Sequence, residues 1–304
     1  MSLFADVNWP RASKWLAGET LGKPAGRLAV IGAPVALGSV TPGRCDLAPA
    51  AIRKALERFS TYDLESRLDV RALRVEDRGD LGVAALPPEQ AFEPVRDAVA
   101  AALTQAEAVV LLGGDNSITL PGVHGMGDLK RCGLLTLDAH FDLRSIRNGL
   151  TNGNPVRALL RDGLPGSNIV QIGIQSFANS EAYAQVARVN GIEVIPASRV
   201  YAGGMGYVVE QALFHLEKAV DRIYVDLDLD VLDRSYAPAC PGSRPGGLAP
   251  HHIRQAARVC GAHPKVRVMD LVEIDPERDI ASCTVLAAAA CLLEFSAGVL
   301  KRFS

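Results

Sequence analysis

The sequence has no CxxC pair, no block of one charge sign, no Pro/Gly/Ser-rich linker and no internal repeat. Its six cysteines, at 45, 132, 240, 260, 283 and 291, are too scattered for a zinc knuckle or a disulfide framework, and read as reduced thiols. A formal net charge of −2 provides no global field to gather nucleic acid or an anionic membrane. No apolar run is expected to reach the roughly 18 residues of a membrane span. The N-terminal MSLFADVNWPRASKW lacks the basic segment and apolar core of a signal peptide. A cytoplasmic enzyme or binding protein is the expectation.

The composition is that of an ordinary globular chain: 304 residues, 48% apolar and 22% charged. With nothing to divide it, residues 1–304 are expected to form a single domain with a sizeable core. Short apolar runs alternate with longer amphipathic ones. Strands are predicted at RLAVIGA (27–33), VRALRVED (70–77), EAVVLLGG (107–114), GLLTLDAH (133–140), NIVQIGIQ (168–175), IEVIPA (192–197), RIYVDLDL (222–229) and VRVMDLVEI (266–274). Helices are predicted over 47–59, 88–105, 180–191, 207–220 and 282–295. Apolar runs without alternation imply strands buried on both faces, hence a parallel sheet covered by helices. The pattern alone leaves an open doubly wound sheet and a closed barrel both standing. In either, the site lies at the C-terminal ends of the strands.

Three predicted strands end in acidic or amide-rich turns: GGDNS (113–117), DAHFD (138–142) and DLDLDVLD (226–233). One such carboxylate reads as a helix cap or turn residue. Three clusters on one sheet edge call for compensation by divalent cations, since buried ionised carboxylates are otherwise costly. If the strand stays extended into its turn, Asp138, His140 and Asp142 point to one side, and Asp226, Asp228 and Asp230 share another face. Asp233 lies beyond the strand and is expected to cap a turn. Mixed carboxylate and imidazole donors suit manganese or a similar first-row ion, and a pair of ions suits hydrolysis by a metal-activated water. His251 and His252, after Pro250, read as the first turn of a helix and as ordinary surface or capping residues.

GGDNSIT, LDAHFD, YVDLDLDVLDRSYAPACPGSRPGG and DLVEIDPERD, with TPGRCDLAPAAIRKAL earlier, together resemble the ureohydrolase family of arginase, agmatinase and formimidoylglutamase. The resemblance implies a three-layer α/β/α sandwich around a mostly parallel eight-stranded sheet. It also implies two Mn2+ ions and a homo-oligomer, trimeric or hexameric. Carried over by position, Asp138 and Asp228 are implied as bridging carboxylates, His140 and Asp230 as ligands of one ion, and Asp142 as a ligand of the other. Asn116 stands where the family has a ligating histidine. Asn152 stands where arginine- and agmatine-acting members carry a histidine proton shuttle. The NG-x-P-x-R form of Asn152, Asn154 and Arg157, together with FDLR and APACPGSRPGG, resembles formimidoylglutamase.

The function so implied is hydrolysis of N-formimidoyl-L-glutamate to L-glutamate and formamide, in histidine degradation. Asp142 is expected to carry the proton and Glu273 to hold the amidinium. Arg144, Arg157 and Arg244 are candidates for the two substrate carboxylates, with Asn152 and Asn154 beside them. Two other readings stand: an amidinohydrolase for agmatine or another guanidino compound, and a non-catalytic relative with a degenerate metal site.

Overall fold

A computed structural model describes Asp6 and residues 8–304. The reading of the N-terminal segment as lacking a leader falls in part outside these residues. Eight strands form one sheet: β1 Gly26–Ala33, β2 Leu73–Asp80, β3 Ala108–Gly113, β4 Cys132–Leu137, β5 Ile169–Ile174, β6 Glu193–Pro196, β7 Arg222–Leu227 and β8 Val266–Leu271. The order across the sheet is β2-β1-β3-β8-β7-β4-β5-β6, and each neighbouring pair is parallel. The sheet is open, so the barrel is excluded.

Burial follows position. Strands β3, β4 and β5 are buried at every residue, whereas the edge strands β2 and β6 expose part of theirs. That is the pattern of a parallel sheet covered on both faces. One face packs on helices α1 (Ala48–Ala55), α6 (Met205–Leu216), α7 (Pro250–Ala262) and α8 (Cys283–Leu300). The other packs on α2 (Pro88–Leu103), α3 (Thr119–His124), α4 (Pro155–Asp162) and α5 (Glu181–Asn190). The result is the three-layer sandwich.

The sequence misplaced some boundaries. Val70–Ala72 form a 3-10 turn, capped by Asp69 through the Arg71 N–H, and the strand begins only at Leu73. Helices α3 and α4 were not predicted; α4 starts on a proline at its first turn, where the missing N–H costs nothing. His252 does cap: its Nδ1 accepts from the Ala249 N–H at 3.1 Å.

Helix α8 corrects the expectation that no apolar run is long enough to span a membrane. By length and composition Cys283–Phe303 would suffice, yet most of it is buried within the fold. A helix apolar on all sides is what a core position demands. Its crossing with α7 is close because Gly261 and Gly298 face each other; a Cβ on Gly298 would lie 2.3 Å from the Arg258 carbonyl oxygen.

Candidate metal centre

Strands β3, β8, β7 and β4 are consecutive in the sheet, and being parallel they end on one edge. Their outgoing loops carry Asp115-Asn116, Glu273, Asp228-Asp230 and Asp138-His140-Asp142 respectively. Four segments far apart in sequence are thereby brought side by side.

Each loop contains the same local device. Asp115, Asp138, Asp228 and Asp275 each accept the backbone N–H two residues on, at 3.0, 2.6, 2.8 and 3.1 Å. An aspartate at a strand end thus shapes its own turn. The turn-capping and cation-seeking readings are therefore compatible, because a carboxylate has a second oxygen. In Asp115 that second oxygen accepts from the Gly38 N–H at 2.8 Å, so this residue is structural. In Asp138 it is Oδ2, buried and without a hydrogen-bond partner among the described residues.

Convergence does not arise from extended backbone, as the spacing suggested. β4 ends at Leu137, and Asp142 reaches the centre through a left-handed φ of 52°. Glu273 is likewise left-handed, at φ 66°. Non-glycine residues held there cost about 1–3 kcal/mol each and are retained where surrounding contacts fix them. Asp226 also departs from expectation: it is fully buried in β7, does not line the cavity, and lies behind it near Asp270. Asp233 caps a turn as expected, accepting from Ser235 and Gly246.

Asp138, His140 and Asp230 offer ligand atoms that all lie within 4.8 Å of one another. His140 Nδ1 is 3.0 Å from Asp230 Oδ2 and 3.4 Å from Asp138 Oδ1. Asp142 and Asp228 stand beside this trio. Asn116 donates from Nδ2 to Asp142 Oδ2 at 2.6 Å, and its Oδ1 lies 2.7 Å from Thr119 Oγ1. Glu273 Oε1 accepts from the Asn116 N–H at 2.8 Å and from Asn152 Nδ2 at 3.0 Å. Asn152 Oδ1 in turn accepts from the Val40 N–H at 3.0 Å.

The electrostatics ask for a cation. Burial first, then Asp230, raises Asp138 to about 6. Burial and the neighbouring carboxylates push Asp142 and Asp228 well above the carboxylate range. Glu273 rises to about 8 through burial and Asp115, against the donors on its Oε1. Against the cost of burial, His140 holds Asp230 low, and Asp230 and Asp138 push His140 up to about 11. Crowded buried carboxylates, one with an orphaned oxygen, fit divalent cations bound by oxygen and imidazole donors. A Cβ on Gly242 would fall 2.1 Å from Asp230 Oδ2, so glycine keeps that oxygen accessible. Cysteine takes no part: burial holds Cys45 and Cys240 as neutral thiols.

His140, Asp142, Asp228, Asp230 and Glu273 line a cavity of about 150 Å³ with Asn152, Arg144 and Arg244. The Arg144 guanidinium makes no hydrogen bond or ion pair among the described residues, and Arg244 Nη1 lies 2.9 Å from His140 Nε2. Two substrate-binding expectations need correction. Arg157 does not line the cavity; its Nε and Nη2 donate to the Leu143 carbonyl at 3.2 and 2.9 Å and fix the loop after Asp142. Asn154 is buried and spent on backbone, accepting from Thr151 and donating to Ser145 and Gly149.

Sequence reasoning missed Asn179, whose side chain clasps the DAHFD loop through the Phe141 N–H and the Ala139 carbonyl. It also missed Thr119 and Asp270, buried behind Asn116. The only available signal was a threonine three residues after Asn116, in a helix (α3) that the sequence did not reveal.

The profile of the arginase family matches residues 26–297. A formimidoylglutamase from Halalkalibacterium halodurans is 36% identical, over 91% of this chain and 88% of that protein. The crystal structure of formimidoylglutamase from Bacillus subtilis superimposes with a TM-score of 0.89 at 30% identity, over 98% of this chain and 94% of that one. A Trypanosoma cruzi formiminoglutamase solved with Mn2+ shares the fold at 24% identity, TM-score 0.86, over 97% and 99% of the two chains.

Proposed function

The chain belongs to the arginase family, and on that premise we propose that it hydrolyses N-formimidoyl-L-glutamate to L-glutamate and formamide, using two Mn2+ ions. The observation that carries the proposal is a cavity in which a cation-seeking carboxylate cluster and Glu273 face two arginines, Arg144 and Arg244. The formimidoylglutamase relatives support the same substrate. Asp138, His140 and Asp230 would hold one ion; Asp142 and the Asn116 amide would hold the other, with Asp138 and Asp228 shared between them.

Ions bound there supply Lewis acidity, lowering the pKa of a coordinated water toward neutrality. The chain's own groups do the rest. Glu273 accepts the planar amidinium on its carboxylate, with Oε1 held still by the Asn116 and Asn152 donors. Asp142, a carboxylate with raised proton affinity, takes the proton of the attacking water and returns it to the leaving amine nitrogen as the C–N bond breaks. The formimidoyl carbon keeps the new oxygen and its terminal nitrogen as formamide, and the freed amine is that of glutamate. Arg144 and Arg244 receive the tail carboxylates. Asn152 orients Glu273 and stands where the resemblance places the histidine shuttle; an amide does not titrate, so the proton transfer falls to Asp142.

The same reading extends to a single domain over 1–304, a trimer or hexamer in solution, and a cytoplasmic setting. Light scattering of the purified protein checks the oligomer. The substrate is tested by presenting Mn2+-loaded protein with N-formimidoyl-L-glutamate, agmatine, arginine and guanidinobutyrate in parallel. Formamide from the first and no urea from the others is expected. Urea from a guanidino compound in preference would move the protein to the amidinohydrolase reading.

A further inference from the structure

Behind Asn116 lies a buried chain of hydrogen bonds that the reaction above does not use. Thr119 Oγ1 is 2.7 Å from Asn116 Oδ1 and 2.7 Å from Asp270 Oδ2. Tyr224 Oη donates to the same Asp270 Oδ2 at 2.7 Å, and Asp270 Oδ1 accepts from the Leu227 N–H at 3.1 Å. Thr119, Tyr224 and Asp270 have no exposed surface. A threonine hydroxyl has one proton to give, so it cannot donate to Asn116 and Asp270 at once.

We infer that Thr119, held by Asp270, is the positioning residue that lets the oxygen end of the Asn116 amide face the metal centre. This rests on the metal-centre reading above. The two ends of the amide occupy fixed slots, one beside Thr119 and the other 2.6 Å from Asp142 Oδ2. A half-turn about χ2 exchanges oxygen and nitrogen. With the nitrogen toward Asp142, as here, the amide satisfies that carboxylate in a cation's stead. A cation held by Asp142 requires the oxygen end instead, because the N–H2 end repels it. The turned amide must then donate its N–H to Thr119 Oγ1, which accepts only when its own proton goes elsewhere. Asp270 Oδ2 is the acceptor that takes it. The threonine hydroxyl thus makes the metal-ready orientation available at no loss of hydrogen bonds.

In Thr119→Val the slot becomes apolar, the amide nitrogen keeps to Asp142, and the cation there is opposed. Thr119→Ser retains the hydroxyl. Asn116→Asp presents oxygen at both ends, so orientation ceases to matter. The test is a Mn2+ titration of metal-stripped protein followed by the electron paramagnetic resonance of free Mn2+, which counts sites and affinities without activity. Wild type is expected to bind two ions. Thr119→Val should weaken one of them by roughly 10–100-fold, the range of supporting-residue effects on metal affinity, and Thr119→Ser should bind both as wild type does. In an Asn116→Asp background, Thr119→Val should change neither site. Equal loss in both backgrounds would make Thr119 merely structural and overturn the inference, as would unaltered binding by Thr119→Val alone. A wild type that binds no Mn2+ would instead remove the metal-centre reading itself.

Discussion

The backbone N–H of Asn116 donates to Glu273 Oε1 at 2.8 Å, joining residues 157 apart in sequence. It ties the end of β3 to the end of β8, and Asn152 adds a second donor to the same oxygen. Glu273 is therefore set by the sheet and by a loop rather than by its own rotamer freedom, while its Oε2 makes no hydrogen bond among the described residues. A carboxylate fixed at one oxygen and free at the other is suited to hold a planar cation.

Glu273→Gln preserves shape and removes charge. A hydrogen bond to a charged group contributes about 1.5–3 kcal/mol, so kcat/KM should fall by roughly 10–100-fold. The melting temperature of the metal-free protein should hold or rise, because a buried carboxylate is removed. Steady-state kinetics with thermal melts checks both.

Asp228→Ala removes a shared carboxylate from a cluster whose other members repel one another. Mn2+ binding and turnover should both be lost, measured by metal content after dialysis and by formamide release. Wild-type activity in this variant would contradict a two-ion centre.

Arg144 and Arg157 should separate cleanly. Arg144→Ala is expected to raise KM by about 10-fold or more with little change in melting, since its guanidinium is free at the cavity rim. Arg157→Ala strips two donors from the buried-side Leu143 carbonyl and should cost about 1–3 kcal/mol of stability. Urea denaturation and kinetics on both variants provide the comparison.

Stability of the metal-free protein should fall as pH rises. Asp138 and Asp115 are raised from 3.8 to about 6, and Glu273 from 4.5 to about 8. In each case the folded state binds its proton more tightly than the unfolded chain. Their stabilising contribution is full below about pH 4 and is lost as pH rises through 6 and then 8. Of these groups only Asp138 is a proposed ligand; Mn2+ displaces its proton, so affinity should strengthen as pH rises through about 6 and offset that part of the lost stability. Melting curves at pH 5 and pH 8, with and without Mn2+, test the sign.

The sheet was legible because unbroken apolar runs such as AVVLLG leave a strand little alternative to full burial. The edge strand at 73–80 was misjudged by a few residues, since Asp69 caps a turn that composition alone does not reveal. The carboxylates at three strand ends announced a site, and the fold supplied a reason: β3, β7 and β4 end on one sheet edge, with β8 between β3 and β7 adding Glu273. What spacing misjudged was the route: Asp142 enters by a left-handed residue, which no periodicity encodes. Arg157 and Asn154 sit in the right motif yet are occupied by backbone, a matter of a loop's own hydrogen bonds. Thr119 and Asp270 lie 151 residues apart and meet only in the folded sheet.

Formamide release from N-formimidoyl-L-glutamate by metal-stripped protein, before and after adding Mn2+, decides the matter most directly. Turnover that is absent without the metal and restored by it is the expected result, and it would show that asparagine at position 116 does not disable the site. No turnover at any Mn2+ concentration, in protein that remains folded, would contradict the proposed function.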